Sequence, residues 1–318
     1  MTIFDRYFRS GGTAPEWARF FSDAEYAKFL NTVEAELTRR ALPFEFGNGV
    51  IKVRMGAGEP NHLGLQNLAQ LCHREPPERW QSLIAEHLDN IIKSNRESAE
   101  IESLEASYER VRDKVKVRLY SAGYGAEVGD QLIHRKVAEG VEAAVVYDLP
   151  SSVRSVAKAR TDAWGVTEDD LFRLGLDNVA HEPPPERRVV EVGGGVNIDA
   201  LIGDSFFTTS HALRLEAFLD RPAHHGVLVA MPHRHAVLFH PIRDMRVVSA
   251  INGLISMAFG MFQEGPGSLS PNLYWWHHGK LLRLPSEMSA NRLTFTPPDE
   301  FVAVLNELSG GPPRGPMN

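Results

Sequence analysis

Hydrophobic positions first fall into a clear rhythm after Ser22. Tyr26, Phe29, Leu30, Val33 and Leu37 recur at helical spacing and share one face. Ser22 with Glu25 three positions on has the spacing of a capping box, in which each side chain satisfies a free backbone N–H of the first turn. Phe44 and Phe46 then alternate with polar neighbours, Gly47-Asn48-Gly49 supplies a turn, and Val50, Ile51 and Val53 follow, so a β-hairpin is predicted. After a Gly/Pro loop at Gly56–Asn61, the run His62–Cys72 fits a strand or a helix. Trp80, Leu83, Ile84, His87, Leu88 and Ile91 mark a second amphipathic helix.

A polar stretch comes next. Within it Ile101, Leu104, Tyr108, Val111 and Val115 are spaced 3-4-3-4, a narrow seam of about two heptads, shorter than a coiled coil requires. It reads as a connecting helix laid on one core, with a structural homodimer built on the seam as the alternative. Val117–Tyr120 and the apolar run Val141–Asp148 are predicted strands. Thr167 and Asp170 have capping-box spacing ahead of a short helix through Leu171, Leu174, Leu176 and Val179. Pro183–Pro185 breaks the chain.

Beyond Arg188 the pattern turns sheet-rich. Val189, Val190 and Val192 lead into Gly193-Gly194-Gly195, with Val196 and Ile198 beyond. The triple glycine lacks the Lys-Ser/Thr of a phosphate loop, the dinucleotide spacing and a following helix, so a hairpin turn is expected. Leu201–Pro241 holds an amphipathic helix, two short apolar strands and the densest run of histidines. A long apolar helix follows from about Asp244 to Gln263, then a hairpin over Tyr274–Leu282 turning near His278-Gly279. A last helix carries Phe301, Val304, Leu305 and Leu308.

The predicted fold class is α+β, in two lobes of mixed or antiparallel sheet flanked by amphipathic helices. The boundaries read from the pattern are an N-terminal lobe over 1–95, a polar connecting helix over 96–116, a C-terminal domain over 117–309 and a disordered tail over 310–318.

The totals narrow the function classes. With 43% hydrophobic and 24% charged residues among 318, the chain has the composition of a globular protein. A net charge of −7 argues against general nucleic-acid binding. No run approaches about eighteen consecutive apolar residues, so no transmembrane helix is expected, and the start lacks the apolar core of a signal peptide. The only cysteine, Cys72, permits no intramolecular disulfide and no cysteine-based zinc site, which suits a reducing, cytoplasmic setting.

Two stretches, Val145–Val179 and Gly203–Phe239, together with a looser one at Ser268–Leu284, resemble the YtpQ-like bacterial proteins, a family of unknown function. Ala163-Trp164-Gly165-Val166, Gly203-Asp204-Ser205-Phe206 and Ala230-Met231-Pro232 occupy its characteristic turns. Where relatives carry Asp after the Arg of a Pro-x-Arg-Asp step, this chain has His235 after Arg234. The resemblance implies a fold and a bacterial cytosolic setting, and it transfers no catalytic residue.

Three constellations carry candidate chemistry. His233 and His235, two apart, would share one side of a strand and reach a single divalent metal, completed by Asp204, His211 or the His277-His278 tip. Against this stands the lack of any HExxH-type anchoring motif. Ser205 or Ser210 with Asp204 and His211 holds the residue types of a hydrolase triad, but outside a Gly-x-Ser-x-Gly elbow, and Asp204-Ser205 reads better as a helix cap. Trp275 and Trp276 alternate across a strand beside His277, so an exposed member would mark a partner-binding surface. The leading expectation is a non-catalytic accessory factor that binds a protein partner or a second copy of itself, around the His233 and Trp275 turns. No cofactor is expected on that reading. The alternative is a metal-dependent hydrolase using His233 and His235.

Overall fold

The computed structural model describes residues 14–54, 61–264, 267–289 and 292–310. The Gly/Pro loop before Asn61 and the expected C-terminal tail fall largely outside those residues. The protein is α+β, and every strand pairing among the described residues is antiparallel. It divides into two compact units, residues 1–100 with 150–152 and residues 101–149 with 153–318.

In the first unit, helix α1 (Asp23–Arg39) opens with the full capping box. Glu25 N–H donates to Ser22 Oγ, and Ser22 N–H donates to the Glu25 carboxylate. Strands β1 (Phe44–Phe46) and β2 (Val50–Val53) form the expected hairpin. The ambiguous run resolves into both of its readings: β3 (Asn61–Gly64) pairs with β2, and α2 (Gln66–His73) follows. Helix α3 (Trp80–Leu104) brings Trp80, Ile84 and Leu88 onto a core shared with Phe29, Val33, Leu37 and the buried Cys72. Burial pushes the Cys72 thiol up to about 12, so it behaves as a small hydrophobe.

The expected connecting helix over 96–116 is corrected. The helix stops at Leu104, two single 3-10 turns follow at Tyr108–Arg110 and Arg112–Lys114, and β4 (Val115–Ser121) begins. Ile101, Val111 and Val115 are buried in the second unit's own core, which occupies the seam proposed for dimerisation.

The second unit contains two larger sheets. The first runs β4–β6–β5, with β5 (His134–Ala138) and β6 (Val141–Asp148), and β7 (Val153–Ser155) pairs with β6. Short helices α4 (Tyr124–Val128) and α5 (Ala159–Trp164) lie in its connections, and α6 (Glu168–Ala180) follows, opened by the Thr167–Asp170 capping box. The second sheet has six strands. They are β8 (Glu186–Val192), β9 (Val196–Ile202), β10 (Val227–Ala230), β11 (Ala236–Pro241), β12 (Leu273–His277) and β13 (Lys280–Leu284), in the order β13-β12-β10-β11-β9-β8.

Gly193–Gly195 closes the β8–β9 hairpin, with Gly194 and Gly195 at φ 82° and 69°, conformations that L side chains rarely adopt. One face of the six-stranded sheet packs against the inner face of the β4–β6–β5 sheet. Tyr274, Trp276, Phe239 and Val229 meet Val117, Val145 and Tyr147 there. The other face takes helix α7 (Val247–Glu264) and Phe301 of α8 (Asp299–Leu308). A small ribbon, β14 (Ser286–Ser289) with β15 (Arg292–Phe295), precedes α8.

Candidate functional site

The outer face of the β4–β6–β5 sheet presents the most unusual chemistry in the second unit. Alternation along Val115–Ser121 sends Val117 and Leu119 inward and leaves Lys116, Arg118 and Tyr120 on the opposite side. Cross-strand register puts Arg118 opposite Ala144 on β6, and Ala144 opposite His134 on β5. The small Ala144 therefore lies between a guanidinium and an imidazole.

From this row a chain of rings and cations extends. His134 meets the edge of Tyr124 at 6.2 Å, and Tyr124 stacks on Tyr120 at 3.9 Å. Arg118 lies over Tyr120 at 4.8 Å and over Phe206 at 5.4 Å. Arg234 lies over the same Phe206 ring at 5.3 Å and donates its Nε–H to His235 Nε2 at 2.8 Å. Each cation–π contact at partly buried sites is worth roughly 0.5–2 kcal/mol. That holds the guanidiniums in place without neutralising them.

Neither arginine has a carboxylate partner among the described residues. Arg118 Nε and His134 Nε2 are both buried without a hydrogen-bond partner, and both belong to the cross-strand row around Ala144. Burial, followed by the nearby charge of Arg118, lowers the Arg234 pKa from the usual guanidinium value. Leaving the buried Arg118 Nε–H without an acceptor costs about 1–3 kcal/mol, more for a charged group, and an oxyanion would supply the missing acceptor.

The loops that frame this face are fixed by their own polar contacts. Lys116 Nζ binds Asp148 at 2.6 Å and also Glu182, and Ser205 Oγ donates to the other Glu182 oxygen at 2.7 Å. Ser205 Oγ also accepts from Phe207 N–H at 3.1 Å, which sets the turn that presents Phe206. A side chain at Gly203 would come within 2.9 Å of Thr208 Oγ1, so the turn stays tight only with glycine there. On the far side, Glu142 accepts from the backbone N–H groups of Gly123 and Gly125, and His134 Nδ1 lies 3.5 Å from the same carboxylate.

The residues singled out in the sequence are distributed differently. His233 and His235 do not share a strand face; they lie in the turn before β11, their ring centroids 6.2 Å apart. His235 Nδ1 bonds the Gly203 carbonyl at 3.0 Å while Nε2 accepts from Arg234, so both ring nitrogens are engaged and neither offers a metal a lone pair in this arrangement. Burial and then Arg234 lower the His235 pKa, in keeping with that neutral tautomer. His233 Nδ1 accepts from His235 N–H at 3.3 Å. No group of three or more His, Cys, Asp or Glu among the described residues is arranged to hold a metal ion.

The triad geometry is likewise absent. Ser205 donates to Glu182, Ser210 Oγ donates to the Val117 carbonyl at 2.6 Å, and the buried His211 meets the edge of Phe218. The expected Asp204–Ser205 cap is corrected as well: the 3-10 segment Thr208–Phe218 has Phe207 at its N-cap and no side-chain cap bond.

Trp275 and Trp276 point to opposite faces, as their alternation predicts, but both are buried, at 4% and 8% exposure. Trp275 Nε1 donates to the His225 carbonyl at 2.8 Å and its ring stacks on His277 at 4.4 Å. Neither indole is presented as an exposed anchor. His277 instead borders a cavity of about 540 Å³ with His224, His278 and Glu216.

Arg118, Tyr120, Tyr124 and Arg234 escaped the sequence reading. The only signal was the alternation in Lys116–Ser121, which places Arg118 and Tyr120 together on one side of a strand. No protein-family model matches the chain, and neither a curated protein nor a solved structure does.

Proposed function

We propose that the protein is a non-catalytic binding factor whose second unit holds an oxyanion group of its partner, a phosphate or a carboxylate, between Arg118 and Arg234. The observation that carries this reading is a pair of half-buried guanidiniums on one aromatic ring with no acid to neutralise them among the described residues. Arginine suits the role because its planar fork meets an oxyanion with two parallel hydrogen bonds and keeps its charge when desolvated. The surrounding rings hold the side chains in place without competing for the anion.

This reading keeps the His233–His235 turn within the binding region through Arg234, and it moves the emphasis from Trp275 and Trp276 to the β4–β6–β5 face. Membership of the YtpQ-like family and a bacterial cytoplasmic setting belong to the same proposal. The Gly203–Phe207 turn supports the first and the single buried thiol of Cys72 the second. No helix among the described residues is long and apolar enough to cross a membrane.

Thermal unfolding in the presence of inorganic phosphate, pyrophosphate or citrate tests the reading. A ligand at about a hundred times its Kd stabilises the folded chain by roughly 2.7 kcal/mol. A rise in Tm with at least one of these anions in the wild type, absent in R118A and R234A, is the expected result. A rise that persists in both variants contradicts the site.

A further inference from the structure

The two edges of the six-stranded sheet are not alike. Strand β13 is accompanied by β5 of the same unit, with Arg283 of β13 paired to Glu139 just beyond β5. Strand β8 pairs only with β9 among the described residues, and six of its residues, Glu186–Glu191, are exposed. Val189 is 60% exposed, an unusual value for valine in a regular strand. Such an edge offers a row of free backbone donors and acceptors to another strand, and proteins ordinarily block it with charges.

Twofold registers centred on Arg187, Arg188 or Glu191 would set like charges face to face, whereas one centred on Val189 sets opposite charges across from each other. When two copies of β8 run antiparallel about a twofold axis through Val189, each residue faces the one that mirrors it across Val189. Val189 then meets Val189, and Arg187 of each copy faces Glu191 of the other. A shift that centres the axis on Arg188 would bring two arginines face to face. Glu191 has no ion-pair or hydrogen-bond partner among the described residues of its own chain, whereas Arg187 already draws Asp199 at 2.8 Å and Asp220 at 3.3 Å toward it. Opposite charges directly across a ladder and a central apolar pair each favour the pairing beyond its backbone bonds.

We infer that β8 is a self-association edge, through which two copies of this chain join their six-stranded sheets with Val189 on the twofold axis. Glu191, opposite Arg187 of the other copy, favours this register over those that set arginine against arginine or glutamate against glutamate.

Light scattering of the full chain after size exclusion gives the mass, and oxidation of cysteine variants gives the register. The expected mass is twice the 35.4 kDa of one chain. V189K, which sets two ammonium groups face to face at an exposed position, should return the mass of a single chain with an unchanged circular-dichroism spectrum. E191R should weaken the dimer by opposing Arg187 of the other copy. V189C should cross-link rapidly under mild oxidation while V190C, which faces Arg188 of the other copy, should not; the native Cys72 is buried. A wild type that runs as a single chain at every concentration overturns the inference. So does a dimer unaffected by V189K, or cross-linking of V190C in preference to V189C.

Discussion

Single residues here act through the partners they have or lack. Glu36 is the well-supplied case. Its buried carboxylate accepts from Arg39 at 2.6 and 2.9 Å and from Arg40 at 2.8 Å, and Arg40 continues to Asp89 at 2.6 Å, tying α1 to α3. The hydrogen bonds from Arg39, more than those from Arg40, hold the Glu36 carboxyl at about 2 instead of the usual 4.5. A carboxylate lowered in this way contributes stability that is complete above pH 4.5 and lost as pH falls toward 2. Urea unfolding across that window should show the first unit weakening, and E36Q should be less stable at neutral pH with a flatter profile. A pH profile in E36Q unchanged from the wild type would contradict this role of Glu36. Arg118 and Arg234 are the opposite case, cations supplied with rings instead of acids. Arg118 was partly legible from strand alternation. Arg234 has no signal in the sequence beyond its place between two histidines, and the role of His235 depends on a carbonyl at Gly203 that only the fold brings near.

At the scale of elements, periodicity was a good guide for several elements that bury one face, though the helix expected within Leu201–Pro241 is a kinked 3-10 segment, Thr208–Phe218. The two capping boxes, the long apolar α7, the β8–β9 hairpin and the turn at His278-Gly279 all form where the pattern placed them. Strands β5 and β7 were missed because they carry mostly polar residues and contribute little to the core. The seam from Ile101 to Val115 kept its spacing but not its helix, since a run of apolar residues at mixed 3 and 4 intervals also suits turns that deliver side chains to one core. One close contact links an element to the site. A side chain at Gly175 of α6 would lie 2.8 Å from the Lys116 carbonyl carbon and 2.9 Å from the Val117 nitrogen, so α6 rests directly on the strand that bears Arg118. G175A should cost about 1–3 kcal/mol by overpacking, and it should weaken anion binding as β4 shifts. G260A in α7, where nothing lies within 4 Å, is the control and should be neutral or slightly stabilising. Chemical denaturation of the two variants side by side decides this; equal stabilities would contradict the packing argument.

For the molecule as a whole, composition and patterning located the class, α+β, and anticipated the antiparallel sheets. They did not locate the working surface. Histidine density and paired tryptophans pointed to the turns around His233 and Trp275, yet the fold buries both indoles and engages both nitrogens of His235. The surface that gathers two arginines without an acid partner among the described residues combines β4, β5, the Gly203–Phe207 turn and the turn before β11, segments far apart in the sequence that one strand register and two loops bring together. The most direct test of its role is a calorimetric titration of inorganic pyrophosphate into the wild type and the R118A/R234A double variant at low salt, where screening of charges is weakest. Saturable binding near one equivalent per chain in the wild type, lost in a double variant that remains folded, is the expected result. Equal binding in both proteins, or heats no larger than dilution in the wild type with each of pyrophosphate, phosphate and citrate, would contradict an oxyanion site between Arg118 and Arg234.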